Sequence, residues 1–201
     1  MGCSRRRSSA SGTAWCGVLA MAIAVLAAAP PAIGAQTTPV VVAHLDVSNL
    51  AGDWYEVAST GTWWHRRCVA DTRYAFDLPQ RGSLRATSVC STREGVARFR
   101  GRLRAGRSGG GRLSIRFTPA IFAWLPATWS DFWVLDAGAD LAWLLVGDNR
   151  RERLLVLSRA VSLDEAAFAQ ALAAARRQGY DPDRLARVPH PAGATGLLPG
   201  R

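Results

Sequence analysis

The 201-residue chain contains no lysine, and it has few histidines and cysteines (three and four). Its formal net charge of +10 therefore comes entirely from arginine, a bias that we attribute to genomic composition. The arginines are scattered along alternating segments, and neither a basic helix nor a basic-aromatic motif occurs, so we predict no nucleic-acid partner. An ordinary solvated surface and weak attraction to anionic lipid head groups both fit the charge.

Motifs of common enzyme chemistry are also missing. His44, His65 and His190 are dispersed, so no pair has metal-ligand spacing, and an axial pair for haem is not evident. Neither a Gly-x-Ser-x-Gly elbow nor a phosphate loop is present, and residues 109–111 indicate a hairpin turn rather than a nucleotide cradle. We predict no catalytic residue, no metal and no cofactor.

The first 35 residues have the pattern of a secretory signal peptide. Arginines at positions 5–7 precede an apolar run at 14–29, and residues 33–35 offer a small-residue cleavage site. The apolar run is too short and too rich in alanine to indicate a membrane span. Neither Cys3 nor Cys16 follows the small and aliphatic residues that a lipidated cysteine needs. We therefore expect export without a lipid anchor.

Two cysteines, Cys68 and Cys90, remain after the leader. An even pair in an oxidising compartment is usually bridged. Both are equidistant from the turn at residues 78–82, so they would face each other across a hairpin ladder. We predict a disulfide that adds about 3 kcal/mol of stability. Two unpaired thiols are the alternative.

Short strand patterns bounded by turn residues fill the middle of the chain. The eight candidates are residues 53–59, 69–77, 83–92, 97–105, 112–118, 131–136, 141–147 and 153–158. Short turns make consecutive strands antiparallel neighbours. The last three candidates are apolar on both faces and need cover on their outer side.

A helix after the strands can supply this cover. Ser162 and Glu165 have capping-box spacing, a helical apolar stripe follows, and Gly179 ends a helix of about 16 residues. Residues 185–188 indicate a short edge strand. An extended lead-in and one helical turn at residues 46–50 precede the strands.

Trp54 lies at the start of the first predicted strand, and Arg159 directly follows the last one. If the sheet curls into a barrel, the indole plugs one end while the guanidinium stacks on it and binds nearby carbonyls. This predicts a container that is closed at one end, and therefore a binding protein.

Four segments resemble the signatures of the lipocalins. They read Gly-Asp-Trp-Tyr-Glu (52–56), Ser-Asp-Phe-Trp-Val-Leu-Asp (130–136), Trp-Leu-Leu-Val-Gly (143–147) and Leu-Val-Leu-Ser-Arg (155–159). The likeness is greatest to bacterial lipocalins of the Blc type, related to apolipoprotein D. It implies an all-β, eight-stranded antiparallel up-and-down barrel with a C-terminal α-helix packed outside.

We divide the chain into a signal peptide (1–35), an extended lead-in (36–45), a lipocalin domain (46–188) and a flexible tail (189–201). The resemblance implies non-catalytic binding of a small hydrophobic ligand, such as a fatty acid or lysophospholipid, in the bacterial cell envelope. We expect a monomer or weak dimer in the periplasm or associated with the outer membrane. A lipocalin-like enzyme acting on a lipid or isoprenoid is the alternative.

Two groups of residues define the predicted site. Barrel closure falls to Gly52, Trp54, Asp131 and Arg159, with Asp131 expected near the same end as Trp54. Glu56 and Ala58 share the face of Trp54 by the two-residue period and should line the interior. On the doubly apolar strands the sequence does not say which face looks inward. The candidates for the calyx lining are Glu56, Ala58, Tyr74, Phe117, Phe132, Trp133, Trp143 and Leu145.

Two loops, residues 60–67 and 119–129, are rich in aromatic side chains. They include Trp63, Trp64, Trp124 and Trp129 and should lie near the barrel mouth or on its flank. Contact with a bilayer interface and packing over the rim are both open.

Overall fold

The computed structural model describes residues 37–191 apart from 63–64, 81–82, 118–124 and 126–127. The predicted signal peptide, most of the predicted tail, and Trp63, Trp64 and Trp124 of the aromatic loops lie outside the described residues. Among the helices of the described part, none is long and apolar enough to cross a bilayer.

The described residues form nine strands and one α-helix. The strands are β1 (Gly52–Ser59), β2 (Ala70–Gln80), β3 (Ser83–Thr92), β4 (Gly95–Ala105), β5 (Arg112–Arg116), β6 (Ser130–Ala137), β7 (Trp143–Gly147), β8 (Leu154–Ser158) and β9 (Ala186–Arg187), and the helix is α1 (Glu165–Arg177). Short 3₁₀ turns cover Val47–Leu50, Ala139–Leu141 and Pro182–Arg184.

The sheet closes on itself through β1. Each strand from β1 to β8 pairs antiparallel with the next, and β1 also pairs with β8. The predicted eight-stranded antiparallel barrel with an external helix is therefore confirmed. β9 adds to the upper part of β1, where Ala58 and Ser59 pair with Arg187 and Ala186.

The helix begins later than the sequence predicts. Asp164, not Ser162, is the N-cap, and its carboxylate accepts a hydrogen bond from the Ala167 amide at 2.8 Å. α1 consequently has 13 residues, and Gly179, with φ of +78°, follows its end. β7 also begins two residues later than expected, because Leu141 has a φ of +54° that is incompatible with a strand.

Two groups of buried side chains divide the apolar residues. The interior cluster fills the barrel and includes Leu50, Trp54, Tyr74, Phe76, Leu84, Leu103, Leu113, Phe117, Phe132, Leu144, Val146 and Leu157. The outer cluster joins the barrel wall to α1 and includes Val57, Ala58, Leu135, Trp143, Leu145, Val156, Phe168 and Ala171. The helix supplies the cover that the doubly apolar strands require.

A β-bulge between Glu56 and Ala58 changes the face of β1 that looks inward. Glu56 pairs with Leu157 of the interior cluster, whereas Ala58 pairs with Val156 of the outer cluster. A bulge inserts one residue, so side chains beyond it point the opposite way. Ala58 therefore does not line the interior, contrary to the expectation.

The two faces of β6 and β7 are now assigned. Phe132 lies in the interior cluster, and Trp133 packs against the outer one. On β7, Trp143 and Leu145 belong to the outer cluster. Contrary to the prediction, neither side chain lines the interior. The alternation of β7 instead directs Leu144 and Val146 inward.

The predicted disulfide between Cys68 and Cys90 is confirmed. The two Cα atoms are 5.6 Å apart, and the bridge spans 22 residues of sequence. Cys68 lies just before β2, and Cys90 is in β3. The bridge therefore anchors the end of the β1–β2 connection to the barrel wall.

Candidate ligand-binding site

One end of the barrel is closed around Trp54. Its indole N–H donates to the Leu50 carbonyl at 2.9 Å, and the Arg159 guanidinium lies 3.7 Å from its ring centroid. Arg159 also donates to the carbonyls of Asp53 and Asn49 at 3.2 and 2.9 Å. Burial lowers the pKa of Arg159, and the charge of Asp53 partly opposes this shift.

Of the other two residues assigned to closure, Gly52 lies at the same end as Trp54 and Asp131 does not. Gly52 begins β1 with φ of +103°, a conformation that favours glycine. Asp131 lies at the start of β6, and its carboxylate accepts from the Asn149 amide at 3.2 Å. Asn149 belongs to the β7–β8 turn, at the barrel end away from Trp54. Asp131 therefore lies at the barrel end opposite Trp54, contrary to the expectation.

Four polar side chains meet inside the barrel, and we call them the interior polar cluster: Glu56, His65, Tyr74 and Ser88. The Tyr74 hydroxyl donates to Glu56 Oε2 at 3.0 Å. His65 Nε2 lies 2.7 Å from Ser88 Oγ, and its Nδ1 lies 3.5 Å from both Glu56 Oε2 and the Tyr74 hydroxyl. All four residues are buried, so these contacts replace water around each polar group.

His65 enters the barrel from the connection between β1 and β2. Its amide donates to the Thr62 carbonyl at 3.0 Å, and its own carbonyl accepts from the Cys68 amide at 2.8 Å. The disulfide holds this turn three residues after the histidine. Ser88 comes from β3 and sits opposite Tyr74 in the ladder. Covalent and backbone contacts thus position the imidazole.

Aromatic rings surround the interior polar cluster. The Phe99 ring centroid lies 5.7 Å from that of His65, and the Phe117 centroid lies 6.2 Å from that of Tyr74. Towards the closed end, Trp54, Phe76 and Leu84 are at most 1% exposed. Side chains therefore fill the barrel next to Trp54, where the sequence led us to expect part of a hollow.

A cavity of about 330 Å³ lies beside the interior polar cluster. It occupies the gap where β1 and β2 separate, because β1 pairs with β2 only from Gly52 to Tyr55. Glu56 and His65 line its inner side, and its remaining walls include Ser59, Thr60, Cys68, Val69, Thr72, Arg184, Arg187 and Val188. We call this space the side cavity. Residues 186–189 of the C-terminal segment form part of its wall.

A buried ionic cluster fixes that C-terminal segment to the barrel. Asp71 accepts from Arg73 at 2.7–2.9 Å and lies 3.0 Å from His190 Nδ1. The other His190 nitrogen lies 3.0 Å from the Glu56 carbonyl. Carboxylate and carbonyl oxygens are both acceptors, so each ring nitrogen of His190 faces a hydrogen-bond acceptor. The Arg73 guanidinium also lies over the Tyr55 ring.

The order Ser88, His65, Glu56 is that of a hydrolase triad, but the burial of the serine argues against this chemistry. A nucleophile must reach its substrate, and Ser88 is fully buried. Glu56 also has its shorter contact with Tyr74 rather than with His65. Glu56 and His65, in contrast, face the side cavity. The arrangement suits hydrogen bonding to a bound molecule.

The sequence predictions find half of the interior polar cluster. Glu56 and Tyr74 were both candidates, whereas His65 was assigned to a loop and Ser88 was not singled out. Ser88 does carry a signal, because it is polar on a face of β3 that also presents Leu84 and Ala86. His65 has none, since loop sequences do not reveal which side chains turn inward.

Comparisons with known proteins place this architecture in a family. A model described as "Lipocalin-like domain" matches residues 45–190. The chain is 28% identical over 152 residues to temperature-induced lipocalin-1 of Arabidopsis thaliana, covering 74% of this chain and 81% of the plant protein. Insecticyanin from the tobacco hornworm Manduca sexta matches with a TM-score of 0.61 and 13% identity, covering 80% and 89% of the two chains. For lobster apocrustacyanin A1 the values are 0.58, 16%, 80% and 94%.

A closed antiparallel barrel with an external helix and polar side chains in its interior is the architecture of a class of barrels that generally bind small molecules. The chain belongs to the lipocalin family. Lipocalins are mainly binding and transport proteins, and their fold generally binds small hydrophobic ligands.

Proposed function

We propose that this protein carries or sequesters a fatty acid or lysophospholipid in the bacterial cell envelope, without converting it chemically. The observation that carries the proposal is the interior polar cluster, which is buried in the barrel and adjoins the side cavity. A buried group of hydrogen-bonding side chains beside an unfilled space is what a ligand head group needs.

The chemistry of the side cavity favours a lysophospholipid over a fatty acid. The space has room for roughly ten water-sized groups, which suits a head group better than a long chain. Glu56 offers an acceptor for a hydroxyl or amine, and Arg184 offers a cation for a phosphate. The acyl chain would lie against the Phe99 and Phe117 rings, because the closed end is filled.

The cellular setting forms part of the proposal. The signal-peptide pattern and the disulfide support export to an oxidising compartment, the periplasm of a bacterium. We further propose that the protein is a bacterial lipocalin of the Blc type, acts as a monomer or weak dimer, and makes peripheral contact with the outer membrane.

Displacement of a fluorescent fatty-acid probe by lysophosphatidylethanolamine tests the site. Glu56→Gln keeps the shape of the side chain and removes its charge, so we expect about tenfold weaker binding of the lysolipid. Glu94→Gln changes an exposed carboxylate in the β3–β4 turn and should leave affinity unaltered. Equal losses in both variants, or a wild-type signal that is neither saturable nor competable, would overturn the proposal.

Native mass spectrometry of protein purified from its own periplasm provides an independent test. A co-purified mass that matches a lysophospholipid is the expected result. Chromatography of that lipid before and after incubation separates carriage from catalysis. If a product accumulates in proportion to incubation time and protein concentration, the carrier proposal is wrong, and the protein is a lipocalin-like enzyme.

A further inference from the structure

Six arginine side chains share one outward-facing patch of the barrel wall, which we call the arginine face. β4 contributes four of them at every second position, because its alternate residues enter the barrel. The members are Arg85 of β3, Arg98, Arg100, Arg102 and Arg104 of β4, and Arg116 of β5. The patch extends about 20 Å along β4 and about 10 Å across three strands.

The strand register brings like charges together in this patch. Arg102 pairs directly with Arg85 on one side and with Arg116 on the other. Like charges directly opposite each other destabilise a sheet. Burial, and then the charges of Arg102 and Arg104, hold the pKa of Arg116 below its usual value. Folding therefore concentrates positive charge in this patch at a cost.

Carboxylates do not neutralise most of the arginine face. Within the described part of the chain, Arg85, Arg100, Arg102 and Arg104 form no ion pair, although Asp77 lies opposite Arg85 in the ladder. Arginines elsewhere do form such pairs, namely Arg73, Arg153, Arg176, Arg177 and Arg187. The surface charge is thus available to an external anion.

Trp129 adds an aromatic group to the edge of the patch. The guanidinium carbons of Arg104 and Arg116 lie 3.8 and 4.6 Å from its ring centroid. Tryptophan favours the interface between lipid head groups and acyl chains, and guanidinium binds phosphate with paired hydrogen bonds. Both preferences are satisfied at one bilayer surface.

We propose that the arginine face docks on a bilayer surface rich in anionic phospholipids. The patch is broad and lies on the outside of adjacent strands, which suits a plane of phosphates. Proteins that recognise duplex nucleic acid by its sequence instead place a helix or a β-ribbon in a groove. This inference rests on the proposed membrane contact and assigns a surface to it, and it is independent of the ligand in the barrel.

Cosedimentation with vesicles tests the docking surface. We would compare phosphatidylcholine vesicles with vesicles in which about a quarter of the lipid is phosphatidylglycerol, at about 0.1 M salt, where the screening length is about 10 Å. The triple variant Arg100→Gln, Arg102→Gln, Arg104→Gln should bind the anionic vesicles about 100-fold more weakly, at about fivefold per arginine. Wild-type binding should fall as salt rises.

A control variant removes the same charge elsewhere. Arg93→Gln, Arg150→Gln, Arg177→Gln alters three exposed arginines outside the patch and should lose less than tenfold. Circular dichroism and urea midpoints check that both triple variants fold. Equal losses in the two variants would mean that net charge alone acts, and the arginine face would be refuted.

Three further outcomes would overturn the assignment of membrane docking to the arginine face. One outcome is that the double variant Trp63→Ser, Trp64→Ser abolishes vesicle binding while the arginine-face variant does not. The protein would then contact membranes through the loop at residues 60–67, and the arginine face would be refuted. If the wild-type protein ignores anionic vesicles, both proposals fail. Binding to an oligonucleotide duplex without vesicle binding, lost in the same triple variant, would instead assign the patch to nucleic acid.

Discussion

Replacement of Trp54 by alanine tests whether the closed end stabilises the barrel. A fully buried indole leaves a cavity that costs about 3–5 kcal/mol. The Leu50 carbonyl loses its donor at a cost of about 1 kcal/mol, and the lost contact with Arg159 adds a similar amount. Because neighbouring contributions are not additive, we expect a loss of about 4–6 kcal/mol. The total free energy of unfolding of a native protein is about 5–15 kcal/mol, so this loss would remove a large part of it.

Urea unfolding followed by far-ultraviolet circular dichroism measures this loss without relying on tryptophan fluorescence. Trp133→Ala is the matched control, because Trp133 is half-buried on the outside of the barrel and should cost about 1–2 kcal/mol. Trp54→Phe keeps a ring and removes the N–H, so it should cost about 1–3 kcal/mol and remain folded. A Trp54→Ala loss no larger than that of Trp133→Ala would refute the reasoning.

Three other changes probe separate parts of the structure by the same unfolding measurement. Cys68→Ser with Cys90→Ala should cost about 3 kcal/mol, and reduction of the wild-type protein should reproduce the loss; if it does not, the disulfide is not the cause. Asp71→Asn leaves a buried arginine without its carboxylate and should cost about 3–5 kcal/mol, whereas a loss below about 1 kcal/mol would contradict the buried ion pair. Asp164→Ala should cost about 1 kcal/mol and Ser162→Ala nothing measurable, and the reverse order would move the start of α1 to the predicted cap.

Much of the barrel could be predicted because its rules are local. The turn between Thr92 and Gly95 and the arginine alternation of β4 determine both the pairing of β3 with β4 and the face that is wet. The sequence could not show whether Ser162 or Asp164 is the N-cap of the helix, because serine and aspartate are both good N-caps. The backbone of the folded chain places Asp164, rather than Ser162, next to the first helical residue.

The candidate site was harder to predict because it depends on contacts that no local pattern encodes. A single bulge after Glu56 reverses the direction of every following side chain of β1, and the sequence around it contains neither glycine nor proline to mark the bulge. His65 reaches Ser88 across 23 residues of sequence, and His190 reaches the Glu56 carbonyl across 134. Tertiary packing alone brings these groups together.

The C-terminal segment has a consequence for when the protein can become functional. Residues 186–189 supply a wall of the side cavity, and their partners on β1 and β2 are made far earlier during synthesis. Pairings between such distant parts of a chain form slowly. A nascent chain that has already formed the Cys68–Cys90 disulfide would thus still lack one wall of the side cavity, and ligand capture would begin only after residues 186–189 have been made and have paired with the barrel.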